Sequence, residues 1–334
     1  MSQREHIRLL QIQLGAILAQ AVSTVAELGI ADLIERGSTR PISELATAMG
    51  CHERSLYRCL RYLASHGIFE EKENRSFGLT PLAEALRSDA ENSYRAGARM
   101  LGISLPVVGE LEHCLRSGEP GFGKAYGKPV FDYLAEHEDE AVIFDAAMTS
   151  FHGPETPAMV ETFDFSGVGT LADIGGGAGG LLTAILSKYP SMNGVLFDLD
   201  HVAGRARDNI STAGLDARCE VRLGNFFESF PSGADAYLMR HIIHDWTDEQ
   251  CHQILRNCRA VIPNDGRLFV VEAVVLPDDE PSPAKDQDAL MMLLTGGLER
   301  TEDEYRDMFA AAGFELTGVT PTPSPVSVIE GRPI

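Results

Sequence analysis

The sequence predicts a helical amino-terminal domain followed by an α/β domain with a Rossmann-like, doubly wound, mostly parallel sheet. Three observations lead to this fold class. The chain has 334 residues, which suggests more than one domain. Roughly its first 100 residues carry apolar side chains at helical spacing. From Gly169 onward, short apolar runs alternate with helical stretches, the pattern of a parallel sheet whose two faces are covered by helices.

The first helical stretch, residues 9–35, is apolar on more than one face. A helix of this kind has to be buried. We therefore expect it to pack against a second copy of the chain, giving a homodimer.

The segment that follows predicts a winged helix-turn-helix, with a turn at Gly50 and an extended pair that turns near Glu73 and Asn74. If this motif bound DNA, its second helix would present three arginines to the major groove: Arg54, Arg58 and Arg61. Residues 40–85, however, contain six basic and six acidic side chains, so they lack a basic footprint. The charge balance favours a motif used for packing, and we expect no nucleic-acid partner.

The overall composition narrows the class of protein. The formal net charge of −21 comes from 28 basic and 49 acidic residues, and it disfavours binding to nucleic acid or anionic lipid. We expect no apolar run long enough to cross a bilayer, which takes about 20 such residues, and the first residues do not resemble a secretion signal. The six cysteines form no C-x-x-C pair, and the ten histidines show no metal-binding spacing. We expect a cytoplasmic protein with no membrane association and no metal.

Four apolar runs predict strands of the sheet: TLADIG, GVLFDL, AYLMRH and RLFVVEAVV. The first leads into a glycine-rich turn and a helix, in which Gly175, Gly177 and Gly180 fit the G-x-G-x-x-G pattern. Asp198 lies near the end of the second run, 21 residues after Gly177 and near the distance at which an acidic residue binds ribose hydroxyls. This pair is compatible with a dinucleotide or with another nucleoside cofactor.

Further motifs distinguish between these cofactors. The segments LADIGGGAGG, FDLDHV, GNFFESFPSGADAYLMRHIIHDWTDEQ and GGLERTEDEY follow one another after a helical amino-terminal half. This order resembles the plant caffeic acid and bacterial antibiotic-type O-methyltransferases, over essentially the whole chain and most tightly over 144–310. The resemblance implies an S-adenosylmethionine-dependent enzyme that methylates a hydroxyl on a small, aromatic secondary metabolite.

The resemblance also implies a domain plan. Residues 1–100 would form a winged-helix dimerisation domain that interleaves with its mate. Residues 101–155 would form a helical region that lines the substrate pocket. Residues 156–334 would form the Rossmann-like domain that binds S-adenosylmethionine.

Site residues follow from the same motifs. The catalytic group would be a general base flanked on two sides by glutamates: His244, Glu272 and Glu299. The cofactor would be held by seven residues: Asp173, Gly175, Gly177, Asp198, Asn225, Phe226 and Arg240. The acceptor would contact four: Phe144, Met148, Met292 and Thr295.

The chain also departs from the family pattern. Asn225 stands where relatives carry an acidic residue for the adenine; its alternative is a residue that merely favours a turn. His152 and Thr295 differ from plant residues near the cofactor and the substrate. Two other activities stay open on these residues: methylation of an amine, and the hydroxylase or decarboxylase chemistry of some methyltransferase-like proteins. Because hydroxyl deprotonation calls for a base, the trio His244, Glu272 and Glu299 favours O-methylation.

Overall fold

The computed structural model describes residues 3–334, except for the side chains of residues 201 and 202. The chain forms two compact units. The first extends to Glu110 and includes Phe122–Gly153, and the second comprises Leu111–Gly121 and Pro154–Ile334. The helical region predicted at 101–155 is thus divided between the two units.

The first unit contains a winged helix. Its elements are α1 (Gln3–Glu27), β1 (Thr39–Pro41), α2 (Ile42–Met49), α3 (Glu53–Ser65), β2 (Phe69–Lys72), β3 (Ser76–Leu79), α4 (Pro81–Glu84) and α5 (Arg95–Val108). Gly50 ends α2 with a φ of 63°, and a short 3₁₀ turn at Glu73–Arg75 joins β2 to β3, both as predicted. The strand β1, which was not predicted, pairs with β3 and completes an antiparallel sheet in the order β1-β3-β2.

The first helix leaves much of its apolar surface uncovered within the chain. Ile12 in α1 is 65% exposed and Ile17 is 57% exposed. The helix has 25 residues, and its most apolar window has a mean hydropathy of 1.5, so by length and composition alone it is able to span a membrane. This corrects the expectation that no apolar run is long enough to cross a bilayer, because the polar residues within the helix, such as Gln11 and Gln13, are uncharged and leave its mean hydropathy high.

We expect a second copy of the chain to cover this face of α1. Replacing Ile12 with glutamate places a charge on the exposed apolar face, so Ile12→Glu is expected to weaken the homodimer or to cause aggregation. The neighbouring exposed Gln13 provides a matched control, because Gln13→Glu adds the same charge without removing apolar area. Light scattering checks the result, and a wild-type protein with the mass of one chain at micromolar concentration would contradict the prediction.

Three further helices complete the first unit: α7 (Gly121–Tyr126), whose first residue belongs to the second unit, α8 (Val130–Glu136) and α9 (Glu138–His152). Phe131 of α8 and Phe144 of α9 meet edge to face, with ring centroids 6.4 Å apart. Met148 lies one turn further along α9 and is partly buried. These helices supply the aromatic and thioether side chains that the sequence assigned to the acceptor.

The second unit is built on a seven-stranded sheet in the order β6-β5-β4-β7-β8-β10-β9. Its strands are β4 (Thr170–Ile174), β5 (Asn193–Asp198), β6 (Cys219–Leu223), β7 (Ala236–Arg240), β8 (Arg267–Ala273), β9 (Phe314–Pro321) and β10 (Val326–Pro333). Its helices are α6 (Leu111–Ser117), α10 (Glu155–Thr162), α11 (Gly180–Lys188), α12 (Asp200–Thr212), α13 (Asp248–Arg259), α14 (Pro283–Leu294) and α15 (Glu302–Ala311).

This sheet is the predicted Rossmann-like, mostly parallel one. Strands β4 to β8 pair in parallel, whereas β10 runs antiparallel to both β8 and β9. Two apolar clusters cover its two faces. The strands β5 and β6 lie on one side of β4, whereas β7 and β8 lie on its other side. Because these strands are parallel, the carboxyl ends of β4, β5, β7 and β8 lie along one edge of the sheet. In sheets of this type the ligand binds at that edge.

Candidate functional site

A glycine turn and two aspartates form a cradle at the carboxyl ends of β4 and β5. Gly175 and Gly177 have φ values of 66° and 58°, in the left-handed region that favours glycine. The amide of Gly177 donates a hydrogen bond to Asp198 Oδ2 over 2.8 Å. A Cβ added at Gly175 would lie 2.4 Å from Ile242 Cδ1, so a larger residue would close the turn against the loop after β7.

Asp173 is a buried carboxylate facing this cradle. Asp173 is the penultimate residue of β4 and is 2% exposed, and its Oδ2 has no hydrogen-bond partner among the described residues. Burial raises the pKa of Asp173 to about 7, although the nearby charge of Arg240 opposes the rise. A buried acceptor without a donor fits a cationic ligand group, such as the ammonium of an amino acid.

The loop after β6 and the end of β7 bring the other predicted cofactor residues to the same edge. Phe226 lies beside the glycine turn, since its Cε1 would be 3.8 Å from a Cβ at Gly175. Arg240 Nη1 donates to Thr156 Oγ1 over 2.9 Å. Asn225 Oδ1 accepts the amide of Phe227 over 2.9 Å, a local turn that favours the turn alternative over adenine recognition through this oxygen.

His244 lies in a short 3₁₀ helix, Ile243–Asp245, that follows β7. Its ring is buried, and Nδ1 lies 2.6 Å from Glu299 Oε1. Glu272 Oε2 lies 3.5 Å from the same nitrogen. Both predicted glutamates therefore lie beside the ring, each with an oxygen close to Nδ1. The other nitrogen, Nε2, has Asp245 Oδ1 at 3.8 Å, beyond hydrogen-bond distance.

Glu272 also holds the loop that carries His244. Its Oε1 accepts the amides of Ile242 and Ile243, each over 3.0 Å. Burial alone would raise the pKa of Glu272, but the neighbouring histidines, first His244 and then His241, lower it below its usual value. Glu272 is thus an ionised anchor of the loop that carries His244, as well as a neighbour of the His244 ring.

The charges around His244 make its ring strongly basic. Burial alone would lower the pKa of His244, but Glu272, Asp245 and the hydrogen bond to Glu299 raise it to about 10. Burial also raises the pKa of Glu299. A ring held through Nδ1 with such an affinity for a proton suits proton transfer at Nε2.

Three residues that the sequence analysis missed hold the same loop. The buried Arg300 guanidinium donates to the carbonyls of Ile243 and Trp246, each over 3.3 Å. A Cβ at Gly297 would lie 1.9 Å from the His244 carbonyl oxygen, so only glycine fits there. Gln287 Nε2 lies 3.2 Å from His244 Nδ1. The signal for Gly297 and Arg300 was present, since both belong to the GGLERT segment.

The sequence analysis also missed a second histidine that pairs with a buried glutamate. His241 Nε2 lies 2.9 Å from Glu155 Oε2, and both side chains are buried. His241 belongs to the HIIHDW segment and so carried a signal, whereas Glu155 is an ordinary first-turn glutamate of α10.

The predicted acceptor residues fall in both units. Met292 and Thr295 lie at the end of α14, the helix that also carries Gln287. Thr295 Oγ1 accepts the amide of Gly297 over 3.1 Å and so shapes the turn beneath His244. Phe144 and Met148 lie on α9, in the first unit.

Side-chain atoms of His241, His244 and Glu272 lie within 4.8 Å of one another, a spacing close enough for a metal ion. Hydrogen bonds already engage these groups, because Glu272 Oε1 binds backbone amides and His244 Nδ1 binds Glu299. We therefore assign them to an ion-pair network and not to a metal.

Two protein families match this chain. The O-methyltransferase dimerisation domain matches residues 10–89, and the O-methyltransferase domain matches residues 109–315. The first match includes most of α1, so the exposed apolar helix belongs to a domain that forms homodimers.

Individual relatives agree with the family match. Phenazine O-methyltransferase PhzM of Lysobacter antibioticus is 41% identical over 327 residues, which cover 98% of this chain and 96% of that protein. The 8-amino-8-demethylriboflavin N,N-dimethyltransferase of Streptomyces davaonensis is 33% identical over 331 residues, covering 97% and 94% of the two chains.

Solved structures give the same result. The LaPhzM crystal structure has a TM-score of 0.93 at 40% identity and covers 98% of this chain and 99% of that one. The O-methyltransferase NcsB1 from neocarzinostatin biosynthesis, solved with S-adenosylmethionine and 2-hydroxy-5-methyl naphthoic acid, has a TM-score of 0.84 at 31% identity and covers 95% and 96% of the two chains. With its Rossmann-like sheet, glycine cradle and dimerisation domain, this chain belongs to the S-adenosylmethionine-dependent O-methyltransferase family.

Proposed function

We propose that this enzyme methylates a hydroxyl on a small aromatic secondary metabolite, with His244 as the general base. The contact between His244 Nδ1 and Glu299 Oε1, 2.6 Å long, carries this proposal. It fixes the ring through one nitrogen and leaves Nε2 to take the proton of the acceptor hydroxyl. Relatives named for phenazine and naphthoate substrates support an aromatic acceptor.

S-adenosylmethionine supplies a methyl group on a sulfonium, whose carbon–sulfur bond breaks with its electron pair passing to sulfur as the new oxygen–carbon bond forms. The protein has to align the acceptor and remove its proton. An unperturbed phenol has a pKa near 10, taking tyrosine as a guide. His244, whose pKa is raised to about 10, has nearly the proton affinity of such a phenolate, so its neutral form accepts the proton at little cost in free energy, and that form becomes more abundant as pH rises.

Asp173, Asp198, Phe226 and Arg240 are the residues we propose for the cofactor, with Gly175 and Gly177 shaping the cradle. The proposed partner of Asp173 is the ammonium of the cofactor's amino-acid end, and that of Asp198 is the ribose. We keep Asn225 as a proposed adenine contact only through its Nδ2 as a donor, because its Oδ1 already accepts the amide of Phe227. These roles agree with the burial of Asp173 and with the contact between Gly177 and Asp198.

The proposed role of Asp173 predicts a pH-dependent affinity for S-adenosylmethionine. Because burial raises the pKa of Asp173 to about 7, the carboxyl is neutral below that pH and binds the ammonium only once it ionises. Affinity is expected to rise by up to about tenfold per pH unit between roughly 5.5 and 7. Asp173→Asn should bind weakly and lose this dependence, whereas exposed Asp216→Asn should behave as the wild type. Calorimetric titration with S-adenosylmethionine at several pH values measures this. If the affinity of Asp173→Asn changed with pH as steeply as that of the wild type, the proposed role of Asp173 would be contradicted.

Methylation of an amine is the second candidate. One observation favours it, namely the relative named as an N,N-dimethyltransferase, which is 33% identical over nearly the whole chain. The buried Glu299–His244 contact favours the hydroxyl, because a neutral amine attacks without first losing a proton to a base.

We also propose a cytoplasmic location. The dimerisation match gives α1 a role outside a membrane. The six cysteines are free thiols, as in a reducing compartment.

A screen with methyl-labelled S-adenosylmethionine tests the proposed function. Phenols, catechols, hydroxyindoles and polyketide phenols serve as acceptors, each paired with the analogue that carries an amine in place of the hydroxyl. We expect transfer to at least one hydroxyl acceptor and little to its amine analogue. Label appearing only in the amine products would favour the second candidate.

A further inference from the structure

A second buried histidine precedes His244 by three residues. His241 has a φ of 53°, in the left-handed region that residues with a side chain seldom adopt. Its side chain is 5% exposed, and Nε2 lies 2.9 Å from Glu155 Oε2. Glu155 begins α10 and is itself 8% exposed at the side chain. A strained backbone that carries a buried ion pair points to a function beyond packing.

The other ring nitrogen of His241 faces the Glu272 carboxylate. His241 Nδ1 lies 3.6 Å from Glu272 Oε2, and His244 Nδ1 lies 3.5 Å from the same oxygen. The two imidazole centroids are 5.0 Å apart. Since Glu272 Oε1 is engaged by backbone amides, its single remaining oxygen is shared between two imidazoles.

The charge on His241 affects how tightly the neighbouring groups hold their protons. Burial alone would lower the pKa of His241, but Glu155 and Glu272 raise it above the usual histidine value. The charged groups around the His241 ring come from four elements: Glu155 on α10, Arg240 on β7, Glu272 on β8, His244 and Asp245 on the 3₁₀ helix, with Glu299 beyond them. Removing one cation from such a buried set raises the proton affinity of every remaining group.

We propose that His241, held by Glu155, is a positioning residue that draws part of the Glu272 charge away from His244 and so weakens the hold of His244 on its proton. The proposal rests on the proposed function of His244 as the base. It gives α10 a part in the reaction, because Glu155 acts on His244 through His241 and Glu272. A base that released its proton less readily would be in its active, neutral form less often at physiological pH.

Histidine-ring NMR on the full-length protein tests this directly. The variant His241→Asn removes the charge, and asparagine tolerates the left-handed φ. The ring signals of His241 and His244 are assigned by their loss in His241→Asn and His244→Ala. We expect a doubly protonated His241 ring at neutral pH in the wild type and a singly protonated one in Glu155→Gln.

In both His241→Asn and Glu155→Gln, His244 is expected to titrate about one pH unit higher than in the wild type. The turnover number at a fixed pH should then fall about tenfold, while the affinity for S-adenosylmethionine stays unchanged. The matched control is His66→Asn, which removes an exposed imidazole far along the sequence and should leave the His244 titration in place.

An unchanged His244 titration in both variants would overturn the proposal, even if turnover fell, because lost packing lowers turnover without moving a titration. Glu155→Gln keeps the test intact if His241→Asn does not fold. The proposed function fails separately, if His244→Ala keeps its turnover. The two ring titrations still decide the role of His241 in that event.

Discussion

Replacing His244 with alanine is expected to lower the turnover number by about 10²–10⁴-fold, the usual contribution of a general base. The affinity for S-adenosylmethionine should stay unchanged, because the ring faces the Glu299 carboxylate and not the glycine cradle. The measurement is steady-state turnover beside calorimetric binding of the cofactor. Turnover in His244→Ala equal to that of the wild type would reject the base and leave catalysis to alignment alone.

The pH dependence of the wild-type turnover number is a second test of His244. Because nearby carboxylates raise the pKa of His244 to about 10, its neutral form becomes more abundant as pH rises. The turnover number should therefore rise between about pH 7 and pH 9. Glu299→Gln removes one of the groups that raise this pKa, so its profile should shift toward lower pH. A flat wild-type profile over this range would contradict the environment described for His244.

Replacing Gly297 with alanine is expected to be the most damaging change of a single methyl group. The added Cβ would lie 1.9 Å from the His244 carbonyl oxygen and 2.5 Å from the Asp245 carbonyl carbon, so the backbone of the loop that carries His244 has to move. Overpacking of this kind costs about 1–3 kcal/mol of stability. A displacement of about 1 Å at the base can lower turnover about 10²-fold.

Gly204 provides the matched control for Gly297. It lies in α12, and a Cβ there would meet nothing within 4 Å. Gly204→Ala should keep both its melting temperature and its turnover, whereas Gly297→Ala should lose both. Full turnover in Gly297→Ala would show that the position of the 3₁₀ helix does not control the reaction.

The site could be predicted where its chemistry is concentrated in short segments. The glycine turn, the aspartate after the second strand and HIIHDW all lie at the ends of apolar strands, so their convergence follows from the parallel sheet. The two glutamates beside the base, Glu272 and Glu299, were assigned from the resemblance. Their closeness to Nδ1 could not be predicted, because spacing along the chain does not say which ring nitrogen a carboxylate reaches.

Other features lacked a readable pattern. Glu155 looks like any acidic residue in the first turn of a helix, and only the tertiary fold brings it to His241. The edge strand β6 has one buried residue among partly buried and exposed ones, and β10 joins the sheet antiparallel, which its short apolar run does not indicate. The apolar face of α1 was expected from its composition, but the stretch predicted at 9–35 is displaced along the chain from the helix at Gln3–Glu27.

The central claim is that this enzyme moves a methyl group to a hydroxyl deprotonated by His244. The most direct measurement uses ¹³C-methyl S-adenosylmethionine and an aminophenol analogue of the best acceptor, which offers a hydroxyl and an amine on one ring. NMR of the product identifies the atom that received the label. The account predicts a methyl ether from the wild type and almost none from His244→Ala. Label on the nitrogen, or equal ether formation by both proteins, would contradict it.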